Sequence, residues 1–533
     1  MKPDILILDY GSQFTQLIAR AVRELGVFCY IIPGTAKTEE IKKHDPKAII
    51  LSGGPASVSV SNAPRPEKSI YDLGLPILGI CYGMQLIADD LGGVVTGWGK
   101  DGTASDIKGD GGATQEMREF GPAKIKIFEG LSKDSKGMFT IFADGEESDV
   151  WMSHGDKITT NPEGFTSIAS SPGAPTAAFA DAKRKIYGVQ FHPEVHHSKR
   201  GKELLKAFID DAKIEANWEA SSFIEETVAK VRETAPEGNV ICALSGGVDS
   251  SVAATLVSKA IGDRLYCIFV DNGLLRHGEA EAVMHMYKAL NLNVKCIDAK
   301  DRFLNELKGI TDPEQKRKTI GRIFIEIFEE EAGKVQDAKF LVQGTLYPDV
   351  IESVSVVGQA AVIKSHHNVG GLIDNMKLEL IEPLRELFKD EVRAIGLKMG
   401  IPKEMIERQP FPGPGLAIRC LGEVTGERLK VLRAADKIVI EEIKSAGFYT
   451  KLWQSFAVLL PVRSVGVMGD GRTYDETIAL RVVTSRDGMT ADWEYLPEEL
   501  LKKISSRIVN ETEGVNRVVL DITSKPPGTI EWE

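Results

Sequence analysis

Short apolar runs that end in glycine-rich turns recur through the first 200 residues of this chain, with segments of helical spacing between them. The runs cover residues 5–8, 48–51 and 76–80. Strands that alternate with helices in this way favour a doubly wound, mostly parallel sheet with helices on both faces. The pattern therefore predicts a first α/β domain over residues 1–205.

A second block of the same kind follows a charged helical stretch. Its apolar runs cover residues 240–244, 265–270, 294–297 and 340–342. Strands joined by helical spacers predict a second parallel sheet with right-handed crossovers, which we place at residues 206–408. The proline-rich run at 409–416 cannot continue a helix, because each proline removes a backbone donor and fixes its own φ angle. From Gly426 a helix and then β-rich segments indicate a third, α+β domain over residues 409–533.

Composition narrows the classes of protein that fit. The chain has 533 residues, with 65 Lys and Arg against 77 Asp and Glu, for a net charge of −12. Such an acidic balance argues against broad binding to nucleic acid, which depends on many basic contacts to phosphate. The sequence shows neither a secretory leader nor an apolar stretch long enough to span a membrane, so we expect a cytoplasmic protein. Its six cysteines lack the paired spacing of a disulfide framework or a metal knuckle.

One cysteine stands in a context typical of a nucleophile. Cys81 lies in Gly79-Ile-Cys-Tyr-Gly83, directly after an apolar run and before a helical segment. Small residues on both sides allow the sharp turn of a nucleophile elbow, and the start of a helix favours the thiolate. A base is available at His192, and Glu194 would project from the same face of a short extended piece to orient the imidazole.

A second motif predicts a phosphate-binding loop. It reads Ser245, Gly246, Gly247, Val248, Asp249, Ser250 and Ser251, between a strand and a helical segment. The glycines let backbone amides close on an anion, and the start of the helix adds a favourable dipole. The chain has no Gly-x-x-x-x-Gly-Lys-Ser/Thr, which disfavours an ATPase of the Walker type. Val270 and Asp271 end the next strand at the carboxyl edge of the sheet, where open α/β sheets bind ligands.

A third cluster joins a cation, two imidazoles and a pair of glycines at Lys364, His366, His367 and 370–371. A metal site would need further ligands at suitable spacing, and the sequence offers none. We therefore expect Lys364 and His366 to neutralise a phosphate or pyrophosphate group in a closing lid.

The motifs of the first block resemble those of class I glutamine amidotransferases over residues 4–205. The similar segments are 51–55, 79–85 and 190–194. The resemblance implies that Cys81 attacks the carboxamide of glutamine and releases ammonia. It also implies roles in the oxyanion hole and in glutamine binding for Gly54, Tyr82, Gln85, Ser153 and Gly155. A Gly- and Asp-rich run at 97–112 is longer than this family leads us to expect, and we interpret it as a surface loop.

The second block resembles the N-type ATP pyrophosphatases, which have the fold of the adenine nucleotide alpha hydrolases. This resemblance implies that the 245–251 loop, Val270 and Asp271 bind ATP, and that Asp249 helps to place Mg²⁺ on the phosphates.

The C-terminal segment extends the resemblance to nearly the whole chain. Its tail, 521–533, contains two prolines, a lysine and a terminal Ile-Glu-Trp-Glu, which favours a docked tail over a loose one. Together with 409–415 and 463–470, it resembles the dimerisation domain of the fused, glutamine-hydrolysing GMP synthetase family. That family transfers ammonia from glutamine to xanthosine monophosphate (XMP) that ATP has activated. The resemblance implies a homodimer, and XMP contacts from Gln454, Arg517, Lys525, Ile530 and Glu531.

Three alternatives share parts of this organisation. A glutamine-dependent NAD synthetase resembles a different, nitrilase-like glutaminase that lacks the elbow and the distant His-Pro-Glu. An asparagine synthetase needs a cysteine at its processed N-terminus, whereas residue 2 is lysine. A catalytically silent nucleotide-binding or regulatory protein could be built on the same domains, but the intact Cys81, His192, Glu194 and Asp249 argue against it.

Overall fold

The computed structural model describes residues 2–96, 119–354, 378–468, 471–485, 488 and 490–533. The chain forms two compact units, of which the first ends at Phe223 and the second begins at Ile224. The Gly- and Asp-rich run at 97–112 lies outside the described residues, as do Lys364, His366 and His367.

The first unit contains a nine-stranded sheet, a two-stranded ribbon and the helices that follow its strands. Its strands are β1 (Ile5–Asp9), β2 (Cys29–Pro33), β3 (Ala48–Leu51), β4 (Ile77–Ile80), β5 (Val94–Thr96), β6 (Glu119–Ile127), β7 (Glu147–His154), β8 (Lys157–Thr160), β9 (Thr166–Ser170), β10 (Ala178–Asp181) and β11 (Ile186–Val189). Its helices are α1 (Thr15–Glu24), α2 (Thr38–His44), α3 (Tyr82–Asp90), α4 (Lys133–Lys136) and α5 (Gly201–Asp211), with 3₁₀ turns at Lys68–Asp72 and Gly137–Ile141.

The large sheet has a parallel half and an antiparallel half. Its order is β2-β1-β3-β4-β11-β10-β9-β6-β7, and β5 pairs with β8 to form the separate ribbon. The first five strands pair in parallel, which confirms the predicted sheet. The other four continue it with antiparallel pairs, which the sequence did not predict. Strands of the parallel half are almost wholly apolar and buried, as a sheet covered on both faces requires.

The second unit contains the remaining strands and helices. The strands are β12 (Asn239–Leu244), β13 (Leu265–Asp271), β14 (Val294–Asp298), β15 (Ala338–Val342), β16 (Glu379–Ile381), β17 (Gln454–Met468), β18 (Gly471–Thr484), β19 (Asp492–Trp493) and β20 (Val515–Asp521). The helices are α6 (Ala220–Thr234), which begins just before the division between the units, α7 (Val248–Ile261), α8 (Glu279–Ala289), α9 (Lys300–Leu307), α10 (Pro313–Ala332), α11 (Tyr347–Val354), α12 (Lys389–Lys398), α13 (Lys403–Ile406), α14 (Gly426–Ser445) and α15 (Glu498–Glu511), with 3₁₀ turns at Gly262–Arg264 and Gly415–Ile418.

Two sheets organise this unit. The first is fully parallel in the order β14-β13-β12-β15-β16, as the sequence predicted, although β16 is too short to leave a pattern of its own. The second is the long hairpin β17-β18 with β19 and β20. One continuous core of buried side chains runs from the parallel sheet to α14 and the hairpin. The α+β segment therefore folds against the parallel sheet and shares its core.

Within the residues that the structure describes, no helix is long and apolar enough to cross a membrane.

Candidate active sites

Cys81 stands at a sharp turn between β4 and α3. Its φ of 52° lies in the left-handed region, which residues with a side chain seldom adopt. Glycines on both sides make the turn possible. A Cβ at Gly79 would lie 2.6 Å from the carbonyl oxygen of Gly83, and one at Gly83 would collide with the carbonyl of Leu51. The turn therefore presents Cys81 at the start of a helix, as the elbow motif predicts.

His192 and Glu194 lie together beside this turn. Nδ1 of His192 is 2.7 Å from Oε1 of Glu194, and both side chains are buried. Burial alone would lower the pKa of His192, but the Glu194 carboxylate and a hydrogen bond with Cys81 outweigh it and raise that pKa to about 10. His192 is therefore protonated at neutral pH, which suits the partner of a cysteine thiolate.

A pocket of about 470 Å³ opens in front of the cysteine. It brings together most of the side chains that the sequence assigned to the first site, and its lining includes Gly54, Cys81, Gln85, Ser153, Gly155, Asp156 and His192. The backbone amides of Gly54 and Tyr82 donate no backbone hydrogen bond within the described part of the chain. One carboxylate oxygen of Asp156 is buried and has no hydrogen-bond partner among the described residues. The pocket thus offers free donors and a free acceptor beside the thiol.

The predicted phosphate loop joins β12 to α7. Gly246 has a φ of 74°, which explains the glycine at this position. The hydroxyls of Ser245 and Ser250 lie 3.1 Å apart, and the Ser251 hydroxyl donates to the carbonyl of Gly247 at 2.7 Å. Leu244, the last residue of β12, is at the carboxyl edge of the parallel sheet. The loop therefore has the position and the turn geometry of an anion-binding site.

Asp249 lies on the first turn of α7, and its two carboxylate oxygens have different surroundings. Oδ2 is 2.5 Å from Nζ of Lys389, at the start of α12, whereas Oδ1 is buried and has no partner among the described residues. Lys389 was not predicted from the sequence, because a lysine among acidic residues at the start of a helix has the pattern of an exposed surface. Gly344 also packs against Asp249, and a Cβ there would be in ordinary van der Waals contact with the Asp249 carbonyl carbon, at 3.4 Å.

Val270 and Asp271 end β13 next to the loop, at the same edge of the sheet. Asp271 is buried, and its carboxylate contacts Nζ of Lys300 at 3.0 Å and accepts from the amide of Gly273 at 3.1 Å. Both residues are therefore placed where the sequence predicted, although the Asp271 side chain is already paired within the protein.

The C-terminal tail is docked, as the sequence favoured. Glu531 forms two hydrogen bonds with the fully buried Arg419, at 2.7 and 2.9 Å, and accepts a third from Gln454 at 3.2 Å. Glu533 pairs with Lys316, which is also fully buried. Gln454, Ile530 and Glu531 are thus brought together, and the buried cations that hold them were missed, because basic residues carry no sequence signal of burial.

Two other tail-region residues lie apart from this group. Lys525 donates to the carbonyl of Gly488 at 2.8 Å. Arg517 is exposed on β20 and pairs in register with Thr477, whereas Gln454 pairs with Val483. The two β18 partners are six residues apart, which is about 20 Å along a strand. Within one chain, Arg517 therefore lies well away from Gln454.

Three family models match the chain in succession. They are described as glutamine amidotransferase class-I at residues 6–212, NAD synthase at 218–320, and GMP synthase C terminal domain at 441–532. Curated relatives match end to end, each over 99% of this chain and 99% of its own length. Glutamine-hydrolysing GMP synthases of Chlorobium luteolum, Nitratiruptor sp. and Aquifex aeolicus are 56%, 57% and 54% identical to it. The chain belongs to the glutamine-hydrolysing GMP synthase family.

Proposed function

We propose that this protein converts XMP to GMP with ATP and with ammonia taken from glutamine. The observation that carries the proposal is the presence in one chain of the Cys81-His192-Glu194 site and the 245–251 phosphate loop, with relatives of the same activity along its full length. ATP adenylates the O2 oxygen of XMP and releases pyrophosphate. Ammonia then displaces AMP, so that the enzyme is an ATP-dependent C–N ligase.

The first site supplies the ammonia. Cys81 attacks the carboxamide carbon of glutamine to form a thioester, and His192 passes a proton to the departing ammonia. Glu194 holds the imidazole in its orientation and keeps it protonated. Water then hydrolyses the thioester to glutamate.

The pocket around Cys81 binds glutamine and stabilises the charge that develops on it. The free amides of Gly54 and Tyr82 form the oxyanion hole, because they donate to no other backbone group among the described residues. The free oxygen of Asp156 accepts from the α-ammonium group of glutamine. Ser153 and Gly155 position the substrate through their main chain, and Gln85, which donates to the carbonyl of Asp156, lines the same pocket.

The 245–251 loop binds the phosphates of ATP, and Val270 and Asp271 also bind ATP, next to this loop. Asp249 helps to hold Mg²⁺, and its unpartnered oxygen fits a hard cation. No group of three or more His, Cys, Asp or Glu among the described residues could hold a metal. In this proposal the phosphates and water supply the remaining ligands. A Mg²⁺ ion held there by Asp249 would neutralise charge on the phosphates.

XMP binds beside the docked tail through Gln454, Ile530 and Glu531. Lys525 contributes positive charge for its phosphate. Arg517, which lies well away from Gln454 within one chain, does so from the second protomer of the homodimer. The lid residues Lys364, His366 and His367 neutralise the leaving pyrophosphate. In this scheme residues 1–205 form the amidotransferase, 206–408 the ATP pyrophosphatase and 409–533 the XMP-contacting and dimerisation domain of a cytoplasmic enzyme.

A coupled assay tests the reaction. Purified protein is incubated with XMP, ATP, Mg²⁺ and glutamine, and GMP, AMP, pyrophosphate and glutamate are followed against controls that lack one component each. GMP formed with equal amounts of AMP and pyrophosphate is the expected result. Glutamine hydrolysis without amination of XMP would instead favour a regulatory protein, and failure with both glutamine and ammonium would mean a different acceptor.

Substitution of Glu194 by glutamine is expected to move the alkaline limit of glutamine hydrolysis to lower pH. The carboxylate raises the pKa of His192 to about 10, so its loss lets that pKa fall, and His192 loses its proton earlier as the pH rises. We expect a shift of about two pH units in the alkaline limb of the rate profile. Glu203→Gln, which changes an exposed carboxylate on α5, is the matched control. An unchanged alkaline limb in Glu194→Gln would contradict the role given to the carboxylate.

We also propose that the β17-β18 hairpin forms the homodimer. It carries exposed apolar side chains at Val462, Val465, Val467 and Tyr474, and Val519 on β20 and Ile522 just after it are exposed as well. Such a cluster is typical of a covered surface. Val467→Asp is therefore expected to weaken association about tenfold or more, because it buries a charge in the interface. Sedimentation measures the effect, Val94→Asp on β5 is the control, and an unaltered dimer would exclude this surface.

A further inference from the structure

A chain of side-chain amides lies behind the nucleophile. Nε2 of Gln85 donates to the carbonyl oxygen of Asp156 at 3.1 Å and to Oε1 of Gln190 at 3.3 Å. Nε2 of Gln190 in turn donates to Sγ of Cys81 at 3.7 Å. Gln190 is fully buried and Gln85 is 3% exposed, so water does not compete for these bonds.

The direction of this chain is determined by its far end. The carbonyl of Asp156 can only accept, so the amide nitrogen of Gln85 must face it. The second N–H of the same nitrogen then points at Gln190 and requires an acceptor there. Gln190 therefore turns its oxygen towards Gln85 and its nitrogen towards Cys81. The oxygen and nitrogen of a glutamine amide are easily interchanged when they are assigned. Here the carbonyl of Asp156, which can only accept, determines the orientation of Gln85 and through it that of Gln190.

A donor at the sulfur favours the thiolate over the thiol. A hydrogen bond to a charged acceptor is stronger than one to the neutral group, so the Gln190 amide stabilises the ionised form. Protonated His192 also hydrogen-bonds to this sulfur and favours the thiolate. The carbonyl of Ser153 acts in the opposite sense, because at 3.5 Å it accepts only from the protonated thiol. The Gln190 contact offsets this preference, since S–H is a weak donor.

We infer that Gln190 is a catalytic residue that stabilises the Cys81 thiolate, and that Gln85 is a positioning residue that holds the Gln190 amide in the required orientation. This rests on the proposed role of Cys81 as the nucleophile. It gives Gln85 a role besides the binding of glutamine, because both hydrogens of its amide nitrogen are engaged within the protein and only Oε1 remains for the substrate.

The reactivity of Cys81 with iodoacetamide tests the inference without glutamine. Alkylation of the Cys81 peptide is followed by mass spectrometry at a series of pH values, with the exposed Cys296 in the second unit as internal reference. In Gln190→Met the pH midpoint is expected to rise by about one unit, with a rate about tenfold lower at pH values below both midpoints. Gln190→Glu keeps the shape of the side chain and the hydrogen bond from Gln85 but offers no N–H to the sulfur. Its pH midpoint is expected to rise further than that of Gln190→Met. The half-buried Gln16 on α1 gives the control, Gln16→Met.

A double-mutant cycle separates orientation from packing. Gln85→Met is expected to shift the midpoint in the same direction by a smaller amount, because it leaves the Gln190 amide free to rotate. In the Gln85→Met, Gln190→Met double variant the loss of Gln85 is expected to add nothing to the shift. The ionisable groups around the pocket, His154, Asp156, His192 and Glu194, are unchanged in the methionine variants, whereas Gln190→Glu adds a carboxylate whose charge also disfavours the thiolate.

The outcomes also separate this inference from the proposed function. Synthesis from ammonium by each variant shows that the second unit is intact. If Gln190→Met alkylates like the native protein, the inference is overturned; if Gln190→Met does not fold, the uncharged Gln190→Leu is measured in its place. Additive shifts in the cycle would remove the positioning role of Gln85. The expected shifts in a protein that makes no GMP would sustain the inference and overturn the proposed function.

Discussion

Replacement of Cys81 by alanine is expected to abolish GMP synthesis from glutamine while synthesis from ammonium continues. The substitution removes the only atom that can form the thioester, and the loss of a nucleophile costs at least about a thousandfold in rate. The phosphate loop and the docked tail are in the other compact unit and keep their structure. Alanine also tolerates the turn as well as cysteine does, because both residues carry one Cβ at a φ of 52°. GMP formation is measured with each nitrogen source at saturating ATP and XMP.

The exposed Cys296 provides the matched control for this experiment. Cys296→Ala removes a thiol from the edge strand β14 and is expected to retain both activities. Loss of the ammonium-dependent reaction in Cys81→Ala would contradict a scheme with two separate sites. Retention of the glutamine-dependent reaction would mean that another group attacks the carboxamide.

The local geometry of the first site was predictable from sequence because its constraints are local. An apolar run, two glycines and a helical segment define the elbow, and the structure has β4, Cys81 and α3 in that order. The same holds for the 245–251 loop between β12 and α7. In both cases the residues that need unusual backbone angles or close approach are next to each other in the chain, so their pattern is visible.

The antiparallel half of the first sheet was not predictable in the same way. This half begins where β10 pairs with β11, the last strand of the parallel half. Both strands are four residues long and buried at every position, so they show no alternation that would separate them from a buried helical turn. Their antiparallel pairing depends on the chain between them, a short turn that contains Lys185 at a φ of 57°. The sequence predicts apolar segments here, but their direction in the sheet follows from the assembled fold.

Ion pairs between residues far apart in the chain could not be predicted from the sequence either. Asp249 and Lys389 are 140 residues apart, and Arg419 and Glu531 are 112 residues apart. A lysine or arginine at such a position has the same local pattern as one on a solvated surface. The partners become recognisable only in the folded chain, where the start of α12 lies beside the phosphate loop and the C-terminal tail lies beside Arg419. The sequence therefore predicted Asp249 and Glu531 through motifs, while the cations that hold them came from the structure.

Replacement of Asp249 by alanine is expected to remove GMP synthesis from both nitrogen sources. The residue lies within the phosphate loop, and its buried, unpartnered oxygen is the group that we assign to Mg²⁺. Charge neutralisation at the phosphates contributes several kcal/mol to such a transition state, so we expect a loss of about a hundredfold or more. Activation of XMP precedes attack by ammonia, and the origin of the ammonia therefore makes no difference. The measurement is the ATP- and XMP-dependent release of pyrophosphate with ammonium, repeated at increasing Mg²⁺.

Asp249→Asn and Asp263→Ala make this result specific. Asparagine keeps the size of the side chain but weakens the pair with Lys389 and offers a poorer ligand, so partial recovery at high Mg²⁺ is expected. Asp263 is an exposed carboxylate just beyond α7, and its removal is expected to leave synthesis unchanged. Alkylation of Cys81 at the native rate would show that the first unit of each variant is intact. If Asp249→Ala retained synthesis from ammonium, the aspartate would have no part in binding the metal or the phosphates. Its ion pair with Lys389 would then serve only to stabilise the fold.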